Sequence, residues 1–153
     1  MNRVEISVSS VSIPDCLEKL EKFFEEIMDL LGLSDSEVSV LLCDDATILN
    51  LNSKYRGIDK PTDVLSFCQH ENSMGNFTGS EIPDLLGDIV VSLESVKRNA
   101  ADFSINYEEE FRRVLIHGLL HLLGMEHESK IDYDKMINLQ EELLQKSMEV
   151  KLF

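Results

Sequence analysis

Three of the chain's four histidines fall in one short run, His117-Gly-Leu-Leu-His-Leu-Leu-Gly-Met-Glu-His127. His117 and His121 are four residues apart, so on a helix they stand one above the other on the same face. Two imidazoles placed so can converge on one ion. His127 cannot join them on the same helix. Six further residues carry it about 9 Å along the axis at ~1.5 Å per residue, while a Zn–N bond is ~2.0–2.1 Å. The chain must turn back, and Gly124 stands where it should, because glycine accepts the left-handed conformation that commonly ends a helix. The spacing predicts one metal ion per chain on a His-x3-His-x5-His set, with a fourth position open to water as in catalytic zinc sites. A single histidine on an apolar face is usually a core residue. Three at this spacing, with a break in the right place, point to a metal.

The same spacing marks the metzincin proteases, His-Glu-x-x-His-x-x-Gly-x-x-His, except at one position. The protease needs Glu after the first histidine as general base. Here that residue is Gly118, which has no side chain, and Glu126 lies beyond the glycine turn. The motif is that of a zinc hydrolase without the protease base.

The elements around the motif are those of one domain, residues 1–153, with 43% hydrophobic and 28% charged residues, a globular composition. No apolar run reaches the ~18 residues that span a bilayer, and the N-terminus lacks the apolar core of a secretory signal. Cys16, Cys43 and Cys68 form no ligand pair and cannot all pair with one another, which suits a reducing cytoplasm and small buried hydrophobes. The net charge of −15 argues against unspecific nucleic-acid binding, but leaves room for a local basic cleft. Lys54, Arg56 and Lys60 form one basic cluster. Lys97 with Arg98 and Arg112 with Arg113 read as solvated helix faces.

Val4, Ile6 and Val8 alternate as a half-buried strand. Pro14 suits a helix start, and Leu17 to Leu31 follow at helical spacing up to Gly32. Glu37–Cys43 reads as a second strand, with Asp44 or Asp45 capping a helix that runs to about Tyr55. Tyr55–Pro61 is a loop, and Thr62–Phe67 enters a third strand. Residues from about Gln69 to Leu85 read as a long surface loop, with His70 as a solvent-exposed histidine. Gly87–Ser92 is a fourth strand, and Ser92 caps a helix from Leu93 to about Asp102. Asn106 and Glu109 resemble a capping box at the head of the histidine helix. Ser129 or Asp132 starts a last helix with Met136, Leu139, Leu143 and Leu144 inward. The expected fold is α+β: a single domain with a roughly four-stranded mixed sheet under about five helices. Strand order is not legible.

Four stretches agree, in order, with a known family. Leu51-Asn-Ser-Lys-Tyr-Arg56, Thr62-Asp-Val-Leu-Ser-Phe67, Leu86-Gly-Asp-Ile89 and the run from His117 to His127 resemble the YbeY family of bacterial endoribonucleases, the rRNA maturation factors. The flanking helices fit as well, so the resemblance covers essentially the whole length. Met125-Glu126 stands where the family usually has Tyr-Asp, and Cys68 where it usually has Pro; neither change removes a ligand. The resemblance implies a single-strand-specific, metal-dependent endoribonuclease acting in 16S rRNA 3′-end maturation, ribosome quality control and small-subunit assembly. Its partners would be rRNA, the small ribosomal subunit and the subunit's assembly proteins, with no membrane. By position, His117, His121 and His127 take the family's three metal-ligand places, with Zn2+ as the metal. Arg56 matches the family's functionally important arginine.

In physical terms, a three-histidine zinc ion lowers the pKa of water to about 7 and polarises a phosphoryl oxygen. Arg56 can bind phosphate oxygens in a fixed fork, or serve as a structural ion pair. Asp88 can orient a ligand imidazole, or cap a turn. Two alternatives stand beside the endoribonuclease: a zinc hydrolase or protease of another substrate class, opposed by Gly118, and a non-enzymatic ribosome assembly factor with a structural metal, favoured by the acidic charge.

Overall fold

Alternation along the strands gives the sheet two unlike faces, and the two faces carry the two halves of the site. A computed structural model describes residues 2–11, 17–69, 84–125 and 129–148. Its elements are β1 (Arg3–Val8), α1 (Leu17–Leu30), β2 (Ser36–Cys43), α2 (Asp45–Arg56), β3 (Val64–Cys68), β4 (Asp84–Ser92), α3 (Leu93–Asp102), α4 (Tyr107–Leu122) and α5 (Lys130–Ser147). The four strands lie in the order β1-β2-β4-β3. β1, β2 and β4 run parallel, and β3 is the antiparallel outer strand against β4. The α+β architecture expected from the sequence is the one observed, four mixed strands with five helices among the described residues.

On one face Val38, Val40 and Leu42 of β2 and Ile89 and Val91 of β4 meet Phe23, Phe24 and Ile27 of α1, Leu115 and Leu119 of α4 and Leu143 and Leu144 of α5. This is the main core, and most of α4 is buried within it. On the other face a smaller cluster of Cys43, Leu65 and Val90 is covered by Ile48 of α2, with Leu51 and Phe67 at its margin. Burial first, then Asp44 and Asp45, push the Cys43 thiol up to about 12, so it packs as a hydrophobe.

The helix ends follow their sequence signals. Asp44 caps α2 by accepting from Thr47 N, Ser92 caps α3 through Ser95 N, and Ser129 caps α5 through Asp132 N. Asn106 caps α4 through Glu108 N, while Glu109 pairs with Arg113 instead of closing a box. Asp45 turns the other way and accepts from Ser92, Ser95 and Arg98, tying α2 to α3.

Two readings are corrected. β4 begins at Asp84, before the expected Gly87, because a bulge absorbs the mismatch: Glu37 pairs with Leu85 and Val38 with Gly87, leaving Leu86 out of register. Arg112 is not on a solvated face. It is 2% exposed, donates to Ser147 O and to Glu108 at 2.8 Å, and lies over the Phe23 ring. The Arg pair lies where α4 meets α5, so Arg113 also turns inward, to Glu109, Glu110 and Glu141. Lys97 and Arg98 are exposed as expected. Cys16, His70 and Pro14 lie outside the described residues.

Candidate functional site

α4 carries both described histidines. Their rings meet edge to face with centroids 4.6 Å apart, and the two Nε2 atoms lie 3.0 Å from one another. Two nitrogens bound to one tetrahedral zinc at ~2.0–2.1 Å stand about 3.3 Å apart, a few tenths of an ångström more than this hydrogen-bonded pair. Among the described residues no third His, Cys, Asp or Glu completes a metal-binding group. His127 lies outside them, as does Glu126.

The turn toward His127 is built as its glycine suggested. Gly124 has φ +86°, its N–H donates to His121 O, and Met125 N–H donates to Leu120 O. This crossed pair of bonds is a Schellman motif. It halts α4 after Leu122, one residue beyond His121, and Met125 packs back on the main core.

Gly118 has a packing role. A Cβ there would lie 3.0 Å from Ile89 Cγ2 and 3.1 Å from Val64 Cγ2, and Ser66 Oγ donates to its carbonyl at 2.9 Å. The helix therefore lies close on β3 and β4 where a protease of this spacing carries its Glu.

β3 is the outer strand, and its register with β4 sets what faces the cleft. Asp63 O accepts from Ser92 N and Gln69 N donates to Leu86 O, so alternate residues bond inward and the backbone of Val64 and Ser66 faces the free edge. Ser66 O accepts from Arg56 Nη2 at 2.7 Å. The guanidinium carbon also sits 5.5 Å from the Phe67 ring centre, and Phe67 meets Tyr55 edge-on. Ser66 thus binds the histidine helix through its hydroxyl and Arg56 through its carbonyl. Arg56, Thr62, Asp63, Ser66, Cys68, His117 and His121 line one cleft of about 350 Å³. The structure brings Arg56 together with two of the three histidines singled out in the sequence.

Lys54 and Lys60, the rest of the basic cluster, flank Arg56 in the chain and do not line this cleft. Residues 53–61 are all exposed, including Lys54 and Lys60. Buried Asn52 anchors the loop by donating to Lys60 O at 2.8 Å. Asp63, which sequence reasoning passed over, accepts from Asn99 at 3.2 Å.

Among the described residues Asp88 does not reach the imidazole of His117 or of His121. It pairs with Phe67 and sits beside buried Ile89, which faces Gly118; alternation therefore places Asp88 on the opposite face with Ser39 and Tyr55. The imidazole's neighbour is instead Gln140 of α5, whose Oε1 is 2.7 Å from His117 Nδ1. Gln140 interrupts an inward stripe of Met136, Leu143 and Leu144, and a polar residue in an apolar stripe is the signal that would have found it. Around it, Arg113 hydrogen bonds hold the Glu141 carboxyl below its ordinary range, and Glu141 foremost raises Arg113. Burial raises Glu110 despite its bonds to Arg113.

An α+β domain that gathers imidazoles, a guanidinium and a strand edge around one cleft has the outline of a hydrolytic enzyme. The profile of the Endoribonuclease YbeY family matches residues 4–148. The chain is 43% identical to the endoribonuclease YbeY of Treponema denticola over 86% of its length and 85% of the relative's. It is 40% identical to that of Borreliella burgdorferi over 87% and 90%. A Thermotoga maritima protein solved in solution superposes with a TM-score of 0.61 at 31% identity, over 95% of this chain and 92% of that one. The chain belongs to the YbeY endoribonuclease family.

Proposed function

We propose that this endoribonuclease cuts single-stranded RNA in the cleft between α4 and the β3 edge, with a metal ion on His117, His121 and His127 and Arg56 at the scissile phosphate. The observation that carries the reading is the approach of two Nε2 atoms to 3.0 Å in the cleft that Arg56 also lines. The donor set fits zinc: neutral imidazoles are its common nitrogen ligands, and two already converge. A bound divalent ion would supply a Lewis acid and acidify water near neutral pH.

The chain's own groups do the rest. α4 fixes the two imidazoles by burial of its other faces, so they need little reorganisation on binding. The Arg56 guanidinium has five donors, and the bond to Ser66 uses one. The others suit phosphate oxygens and the charge that grows on them. Lys54 and Lys60 give a −15 chain a local field attractive to a polyanion. An unpaired strand suits a cleft of this kind, because bases and backbone are then both accessible. The substrate in this reading is rRNA, in 3′-end maturation of 16S rRNA, small-subunit assembly and quality control, in the cytoplasm. None of the helices is long and apolar enough to cross a membrane among the described residues.

The test is metal content together with cleavage of a single-stranded RNA, wild type against His117→Ala. One zinc per chain and chelator-sensitive cleavage, both lost in the variant, are expected. Wild-type cleavage that survives complete removal of metal would overturn the reading.

A further inference from the structure

The mechanism above leaves Gln140 without a task. It is 5% exposed, and its two amide atoms have different neighbours. Oε1 is 2.7 Å from His117 Nδ1, and Nε2 is 3.4 Å from Glu141 Oε2. Glu141 is itself held by Arg113 through two nitrogens, both at 3.0 Å. An ionised carboxylate only accepts hydrogen bonds. The amide nitrogen must therefore face Glu141, because the flipped amide would set carbonyl against carboxylate. That leaves the amide oxygen toward the imidazole. An oxygen there can only accept, so Nδ1 carries the proton. A neutral imidazole protonated at Nδ1 has its lone pair on Nε2, the atom that approaches His121.

We infer that Gln140 is a positioning residue that holds His117 in the Nδ1–H tautomer and aims its Nε2 lone pair into the cleft, with Arg113 and Glu141 setting the orientation of Gln140. The consequence for metal binding rests on the proposed function, whereas the tautomer does not. A glutamine that only fills the α4–α5 interface would leave the tautomer and the metal affinity alone when replaced by an apolar residue of similar size.

Two measurements separate these roles. The first is the imidazole nitrogen-15 spectrum of metal-free protein at about pH 8, above the ordinary imidazole pKa of about 6.5. His117 should show a protonated Nδ1 and a bare Nε2, and Gln140→Leu should lose that preference. The second is zinc affinity by chelator competition. Gln140→Leu should bind about 10–100-fold more weakly. Melting curves of the metal-free variant monitor folding, and if Gln140→Leu does not fold, the wild-type tautomer decides alone. A wild-type His117 protonated at Nε2, or a folded Gln140→Leu with unchanged zinc affinity, overturns the inference. An Nδ1–H tautomer in a protein that takes up no zinc would uphold the orienting role of Gln140 and overturn the metal reading instead.

Discussion

Replacing Arg56 separates a guanidinium that acts on substrate from one that holds the fold together. Its structural contacts are the bond to Ser66 O at 2.7 Å and the Phe67 ring at 5.5 Å. Both are made by an exposed residue. A hydrogen bond from a charged group is worth ~1.5–3 kcal/mol, but water replaces much of it at an exposed site, and an exposed cation–π contact adds ~0.5–1 kcal/mol. Arg56→Ala should therefore cost about 1 kcal/mol, or roughly 2–4 °C in Tm for a chain of this size. Its effect on cleavage should be far larger. A charge-assisted bond formed only in the transition state is worth the full ~1.5–3 kcal/mol, about ten- to a hundred-fold in rate.

Single-turnover cleavage of single-stranded RNA, thermal melting and zinc content, all on the same preparations, make the comparison. Arg56→Ala should keep its metal and nearly all its stability while cleavage falls about ten- to a hundred-fold. Arg56→Lys should recover little, because lysine keeps the charge but loses the planar fork. If Arg56→Ala melts much earlier than this and its folded fraction cuts RNA at the wild-type rate, the arginine is structural.

Two further outcomes test how the cleft is supported. At Gly87, φ is +142° and a Cβ would lie 2.2 Å from the backbone oxygen of Phe67. Gly87→Ala must part β3 from β4 or strain the chain, so it should cost more than about 3 kcal/mol by denaturant unfolding; a cost under about 1 kcal/mol would show that the strands give way easily. Burial alone would raise the Asp45 carboxyl, but bonds from Ser95, Ser92 and Arg98 prevail and lower it. Its contribution to stability is therefore complete above the unfolded value of about 3.9 and is lost as pH falls through the lower folded value. Asp45→Asn should melt below wild type at neutral pH, and the gap should close below about pH 4; a gap of constant size would mean the carboxylate charge is irrelevant.

Local signals in the sequence were reliable where one residue decides one feature. Ser92 and Asn106 cap the helices they were expected to cap, and of Ser129 and Asp132 it is Ser129 that caps the last, because a short polar side chain before an apolar run has few other uses. The pairing of His117 with His121 follows from helical geometry alone. The failures needed tertiary information. Arg112 is buried because α5 and Phe23 of α1 close over it, which a charge pair in the sequence does not reveal. The start of β4 was hidden by a bulge. Asp88, read either as an orienter of an imidazole or as a turn cap, lies one step of alternation from Ile89, which takes the face toward α4. Gln140 left only the trace of a polar residue in an apolar stripe, and its task needed the fold: it comes from a helix remote in sequence, and only the packing of α5 on α4 brings it to His117.

Gly118 and Ser66 together explain how this histidine spacing became something other than a protease. A Glu after His117 would point into β3 and β4, where even a Cβ comes within 3.0–3.1 Å of two methyl groups. The position is closed to a general base because the helix lies directly on the sheet. That close approach brings the Gly118 carbonyl within 2.9 Å of Ser66 Oγ, and the carbonyl of the same serine holds Arg56. The space that the protease motif gives to a carboxylate is used here to bring a guanidinium and two imidazoles to one strand edge. A guanidinium facing a polyanion is suited to phosphate, and its fork has no equivalent partner on a neutral peptide bond. Gly118 thus acts through packing, by bringing the histidine helix and the strand that holds Arg56 together.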